Sequence, residues 1–337
     1  MGTENPVQTR SEILFVYDIT DANPNGDPND ENRPRMDMES GKAKVSDVRL
    51  KRTIRDYLHD YLGKEIFCRE IEKDDGTIQE GKDRAEDFFR QIEGEAGQEK
   101  TVIGKRNLIE KRVIEECIDV RLFGATIPVA KPASANGKDS SVTLTGAAQF
   151  AMGGSLHRVE PRFVKGTGAF ASGQGAQQRT FREEYVLPYA LIAFYGIVNQ
   201  QAAKTTGLTA DDVELLYNGI WYGTKNLITR SKIGQRPLLL LAVDYKPEYA
   251  NAYIGRLDRF LTITGADGNE LRGEAIRDAN EVELDLTNLI RALTSRKDKI
   301  ERIRFAYDQR LPLSAAFEES NGKHKFAGII AESFNFE

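Results

Sequence analysis

The chain has 337 residues, 40% of them hydrophobic and 29% charged, with a net charge of −5. This composition suits a soluble protein with room for one insertion-bearing domain or two. No run approaches the ~18 apolar residues of a membrane-spanning helix, and the polar start from Met1 to Arg10 lacks a signal-peptide core, which argues for the cytoplasm. Cys68 and Cys117 stand far apart without histidines at metal spacing, so they read as two buried free thiols and exclude a structural zinc site.

In chain order, Glu12 to Thr20 predicts a first strand, rich in β-branched and aromatic residues. Asp21 to Val45 follows as a long loop of turn residues, a length that is usually functional or disordered. Ser46 is a helix N-cap, after which Leu50, Ile54, Tyr57, Leu58 and Tyr61 share one arc and Arg49, Lys51, Arg52 and Arg55 the other. Cations of one sign near a helix N-terminus favour an anion there. Residues 63–141 are polar, with a helical portion from Asp83 to Glu116 and a short strand from Ile118 to Phe123.

Val142 to Met152 predicts a second core strand, and Tyr185 to Val198 a third, with Pro188 near its beginning. A Gly-, Gln- and Arg-rich stretch from Gly153 to Glu184 lies between them. A helix capped by Thr209 and a strand from Arg236 to Tyr245 complete the order strand, helix, strand, strand, helix, strand. That is a ferredoxin-like α+β arrangement (βαββαβ), carrying a large insertion after the first helix and a long hairpin between the middle strands. The tail, 246–337, adds strand pieces at Ile303 to Tyr307 and Phe326 to Ile330.

Charge is distributed unevenly along this order. Between Arg33 and Arg55 eight basic residues face three acidic ones, while Lys64 to Asp119 holds sixteen acidic and eleven basic. Arg158, Arg162, Lys165, Arg179 and Arg182 stand against Glu160 alone, and Lys225, Arg230, Lys232 and Arg236 against no acid. Three basic stretches separated by neutral or acidic sequence point to a composite groove for a polyanion.

Other chemistry is poorly supplied. Asp21 to Gly26 matches the first half of a calcium-binding loop, but Asn32 stands where a bidentate Glu is required, and a strand precedes it where a helix is needed. Gly26 reads instead as a tight turn with positive φ. Asp18, Asp21, Asp27, Asp30 and Asp37 have no spacing that fixes a two-metal nuclease site. His59, His157 and His324 are the only histidines, and His157 falls in a stretch that reads as flexible and exposed. No phosphate-loop, nucleophile-elbow or dinucleotide motif is present, nor the aromatic strand of an ordinary RNA recognition motif.

Asn23-Pro-Asn-Gly-Asp-Pro28, Arg35-Met-Asp37, Val45-Ser-Asp-Val-Arg-Leu-Lys-Arg-Thr-Ile-Arg55, Asp119-Val-Arg-Leu-Phe-Gly124 and Gly146-Ala-Ala-Gln149 occur in that order. Together they resemble the Cas-seven backbone subunit of type I CRISPR Cascade, in its I-B and I-C branches, over about Glu12 to Tyr245. The resemblance implies a RAMP-superfamily subunit with an RRM-like palm (12–62 and 142–245), a finger-like insertion (63–141) and a thumb hairpin (153–184). The extension 246–337 would pack on the palm. Copies would stack head to tail along a CRISPR RNA beside other Cascade subunits, each thumb displacing a base and the open segments pairing with a target DNA strand.

A holder of any guide grips phosphates and leaves base edges free. Lys51, Arg52 and Arg55 are the leading candidates, with Arg49 and Lys44 behind them. Asn25, Arg33 and Arg35 on the loop, Lys225, Asn226, Arg230 and Ser231, and the thumb residues Arg158, Arg162 and Phe163 complete the set. No catalytic residue, metal or cofactor is implied, and no membrane. The alternative is a type III backbone that cuts target RNA through Asp21, Asp27 or Asp37.

Overall fold

The computed structural model describes residues 5–96, 101–131, 139–171, 179–266, 271–320 and 323–336 of an α+β chain with a large mixed sheet. Strand β1 (Ser11–Ala22) leads into two small hairpins, β2 (Gly26–Asp27) with β3 (Arg33–Pro34) and β4 (Met36–Asp37) with β5 (Lys42–Val45). The long loop therefore has secondary structure of its own. Helices α1 (Asp47–Asp60), α2 (Gly81–Ala96), α3 (Val102–Glu116) and α4 (Ile118–Phe123) follow, then β6 (Gly124–Val129), β7 (Ser140–Thr145), β8 (Ala148–Phe150) and β9 (Gly153–Ser155). Next come β10 (Arg162–Ala171), β11 (Arg179–Val198), α5 (Gln200–Thr206), α6 (Ala210–Lys225) and β12 (Arg236–Tyr245). The tail holds β13 (Thr262–Gly265), β14 (Val282–Asp285), α7 (Thr287–Thr294), β15 (Ile300–Tyr307), β16 (Glu318–Ser320), β17 (Lys323–Phe326) and β18 (Ile329–Ser333).

The chain divides into two compact units. One comprises residues 11–50, 150–196 and 224–337 and carries the main sheet in the order β16-β17-β18-β15-β12-β1-β11-β9-β5-β4. As a central strand, β1 is buried without a break from Ser11 to Ile19, so it reads as a continuous apolar run rather than an alternation. Glu12 lies in that run with no exposure. Its carboxylate accepts from Tyr195 Oη at 2.6 Å, Ile254 N at 2.8 Å, Gly255 N at 2.7 Å and the Tyr245 hydroxyl. A buried carboxylate is tolerated when its lone pairs are all used, and here it ties the 254–255 segment to β1, β11 and β12. The thumb-like hairpin is β10 against β11, with Phe163 opposite Tyr185. Strand β11 runs unbroken through the predicted boundary at Tyr185, which puts Pro188 in its interior.

The other unit comprises residues 1–10, 51–149 and 197–223. Its core gathers Phe88, Phe89, Ile109, Val113, Val120, Ile127 and Val142 from α2, α3, α4, β6 and β7, with Phe67 from the segment between α1 and α2. The helical stretch 83–116 is two helices, and Thr101 caps the second by accepting from Gly104 N at 3.0 Å. The predicted strand 118–123 is the helix α4, whose residues other than Arg121 are all buried. Alternating apolar residues mark a half-buried strand, but an element enclosed on nearly every side carries no such information.

The predicted strand 142–152 is likewise two pieces, β7 and β8, broken at Gly146. The break is steric. A Cβ on Gly146 would lie 2.1 Å from Phe123 C, and one on Gly124 (φ +76°) 2.1 Å from Leu144 O. Cys117 is buried as expected, whereas Cys68 is exposed.

Candidate nucleic-acid interface

In the sheet-bearing unit, the Asn23–Pro28 loop spends its polar groups on its own shape. Asn23 N donates to Ser231 O at 2.8 Å and Asn23 Nδ2 to Asn32 O at 2.7 Å. Asn25 Oδ1 accepts from Ser46 N at 2.7 Å, which fastens the loop to the start of α1. Asp27 accepts from Arg35 Nη1 at 2.9 Å and Asn29 N at 3.1 Å. Gly26 lies in β2 without the positive φ expected of it and is required by contact instead, since a Cβ there would sit 2.0 Å from Asn32 Oδ1 and 2.8 Å from Asn32 O. Of the half calcium motif's side-chain oxygens, Asn25 Oδ1 is spent on the Ser46 amide, while Asn23 Oδ1 is buried without a hydrogen-bond partner among the described residues. Among the described residues no group of three or more His, Cys, Asp or Glu could hold a metal ion.

This loop walls a cavity of about 730 Å³. Arg33, Arg35 and Lys44 supply cations, Met36, Met38, Met152 and Tyr185 supply apolar surface, and Asp27, Asp30 and Asp37 also line it. The acids orient the cations: Arg35 on Asp27, Lys44 at 3.8 Å from Asp37, and Arg33 at 2.9 Å from Glu31. Arg33 also lies over the Tyr185 ring at 4.5 Å, a cation–π contact. The Ser40 backbone N–H, with weaker help from Lys44, holds the Asp37 carboxyl below its ordinary pKa. Phe163 is 50% exposed, with its ring 5.1 Å from that of Tyr185. Arg162 is exposed on the same strand, and Arg158 pairs with Glu274 at 3.1 Å beside the Gly41 turn.

The third basic stretch puts Lys225 in the open at the end of α6, Asn226 half-buried, and Arg230 exposed at 3.5 Å from Glu184. Ser231 receives the Asn23 amide on its carbonyl and Lys232 Nζ on its hydroxyl at 3.2 Å. Burial, and then repulsion from Arg49, push the Lys232 ammonium below the usual lysine pKa. The charge count includes Lys232 without singling it out. Tyr185 was hidden because it read as the start of a core strand; the hairpin register that pairs it with Phe163 exposes it to the cavity.

In the other unit the cations of α1 are not the outward face that helical spacing predicts. Lys51 is 9% exposed; its Nζ donates to Gln149 Oε1 at 2.8 Å and lies 5.8 Å from the Phe123 ring centroid. The Arg55 side chain is 15% exposed, donating through Nε to Asp119 Oδ2 at 2.8 Å, with its guanidinium 5.0 Å from the same ring centroid. Asp119, with no exposure, also accepts from Phe67 N at 2.8 Å and Cys68 N at 3.1 Å. Arg121 makes a two-point pair with Asp212 at 2.8 Å and donates to Ile114 O and Glu115 O. Only Arg52 of the leading three stands out in solvent, 51% exposed and paired with Asp56 at 2.6 Å. The blocks 45–55, 119–124 and 146–149, scattered in sequence, thus converge as partners.

The fold and these side chains define an α+β protein whose loop cavity is lined by cations, carboxylates, Met side chains and Tyr185. The family model described as CRISPR-associated protein Cas7 matches residues 9–287, and the chain belongs to that family. A CRISPR-associated protein Cas7 of Haloferax volcanii is 32% identical over 325 residues, 92% of this chain and 90% of the relative. Two solved chains at 13% identity share the fold. One, from a "CRISPR RNA-guided surveillance complex, pre-nicking", has a TM-score of 0.53 and covers 92% of this chain and 97% of its own. The other, from a "CRISPR RNA-guided surveillance complex", has a TM-score of 0.51 and covers 98% and 95%.

Proposed function

We propose that this chain is a non-catalytic CRISPR RNA-binding backbone subunit of a type I Cascade complex, of the I-B/I-C branch. Membership of the Cas7 family is the observation that carries this reading, and the cavity that Arg33, Arg35 and Lys44 share with Asp27, Asp30 and Asp37 supports it. The strand order β12-β1-β11-β9 supports a ferredoxin-like palm. Residues 63–141 would be the fingers, and the β10–β11 hairpin, with Arg158, Arg162 and Phe163, the thumb. Copies stack head to tail along the spacer, and the guide is presented to a target DNA strand. Arg33, Arg35, Lys44, Arg49 and Arg52, with Lys225, Asn226, Arg230 and Ser231, make the phosphate contacts. Asn25 shapes the loop, and Lys51 and Arg55 form an inner pair braced by Gln149 and Asp119.

Co-expression with a CRISPR array, followed by extraction and sequencing of the RNA that co-purifies, tests this. Discrete CRISPR RNAs of mixed spacer sequence are expected. Recovery of the chain without them, or with random cellular RNA only, overturns the proposal.

A further inference from the structure

His157 is 5% exposed, and its ring joins three segments of the sheet-bearing unit. Nδ1 lies 2.8 Å from Arg158 O and 2.9 Å from Gly273 O. Both are acceptors only, so Nδ1 carries the hydrogen. Nε2 accepts from Leu191 N at 3.2 Å, which fixes the neutral Nδ1–H tautomer. The ring stacks on Tyr189 of β11 at 5.9 Å between centroids. Around it the packing leaves little slack. Ser155 Oγ donates to His157 O at 2.6 Å while accepting from Ala43 N at 2.9 Å, and Val159 N donates to Gly41 O at 3.0 Å. Cβ atoms on Gly41 and Gly273 would approach the Arg158 guanidinium and backbone to 3.1 and 3.0 Å. The imidazole therefore sets where Arg158 emerges beside Gly41, a residue of the cavity wall.

We propose that His157 is a positioning residue and a proton-sensitive latch, holding the Arg158 segment and the Gly273 turn to β11 only while its imidazole is neutral. A proton taken from solvent binds the Nε2 lone pair that now receives the Leu191 amide. Two N–H groups then point at each other, and both buried donors are left without an acceptor. The groups acting on the ring are Lys42, which opposes the added charge, and Glu274, which favours it, as do the Arg158 and Gly273 carbonyls that face Nδ1; Tyr189 on β11 stacks on the ring. Burial weighs most among these influences and keeps the imidazole below its ordinary pKa, so the latch is closed at neutral pH. The consequence for RNA rests on the proposed contact between Arg158 and the guide; the latch itself does not.

Hydrogen exchange on the intact chain, corrected for intrinsic rates, compares about pH 4.5 with about pH 7.5, reaching well below the ordinary imidazole value so that a depressed pKa is bracketed. Exchange at Leu191 and across 271–276 should rise about tenfold on acidification in the parent, as for a lost buried hydrogen bond, and stay flat in His157→Gln. Equal protection at both pH values in the parent overturns the latch. If His157→Gln does not fold, the imidazole titration of the parent, assigned with H59Q and H324Q, decides instead. A His157 pKa at or above 6.5, or an Nε2–H tautomer, overturns it. RNA affinity should fall with the same pH profile, and less steeply in R158A. A latch that opens without any change in affinity refutes the Arg158 contact and leaves the latch standing.

Discussion

Asp119 brings three partners to one buried site. One fully buried carboxylate takes two backbone amides and the Arg55 guanidinium. Removing one partner of such a pair leaves an uncompensated charge in a poorly solvated place. R55A should therefore cost about 3–5 kcal/mol in equilibrium denaturation, and R55A/D119A less than the sum of the two single changes. R52A, on an exposed i,i+4 pair, should stay within about 0.5 kcal/mol of the parent. An R55A midpoint matching that of R52A would mean the two amides compensate Asp119 alone. The sequence hinted at this pair through an aspartate set inside the apolar run 118–123. Helical spacing could sort Lys51 and Arg55 onto a polar arc, but it could not say that α4 would bring an acid and an aromatic ring against that arc. The local charge was legible; its partners, 64 and 98 residues away, were not.

At the level of elements, the α4–β6 and β7–β8 junctions depend on two glycines touching backbone to backbone. Neither contact can be relieved by a side-chain rotation, because the nearest atoms are Leu144 O and Gly146 N on one side and Phe123 C and Gly124 N on the other. G146A should lose about 3 kcal/mol, the upper end of overpacking costs. G124A should lose more, because its positive φ adds about 1–2 kcal/mol for a side chain. G154A meets ordinary contacts from 3.6 Å and should change the thermal midpoint little. A G146A protein as stable as G154A would show that this junction can shift without loss. These junctions also explain which elements could be read in advance. Strands β1 and β12 had length and a continuous apolar run, and helix α6 had a cap, Thr209 Oγ1 accepting from Asp212 N at 3.2 Å. The short pieces around Gly124 and Gly146 had none of these, and tertiary contact decided their conformation.

Across the whole molecule, a net charge of −5 is compatible with holding RNA because the charges are sorted. The acids concentrate in the stretch holding α2 and α3, while Arg33, Arg35 and Lys44 open onto one cavity beside Asp27, Asp30 and Asp37, from which a phosphate backbone would have to draw them. Local field, not total charge, governs a polyanion at a distance of about 8 Å in physiological salt. Each cation lost from a single-strand contact lowers the slope of log affinity against log salt by about 0.7. Replacing Arg33, Arg35 and Lys44 together by Ala should flatten that slope by about 2, equally for unrelated spacer sequences, because phosphate contacts carry no base information. A parallel change in Arg52 alone should remove about 0.7. Titrations of guide RNAs of different spacer sequence, repeated at several salt concentrations, separate the alternatives. A slope that does not move in the triple variant would take the RNA path away from the cavity, whereas losses that differ between spacers would mean its Met- and Tyr-lined wall reads bases as well as phosphates.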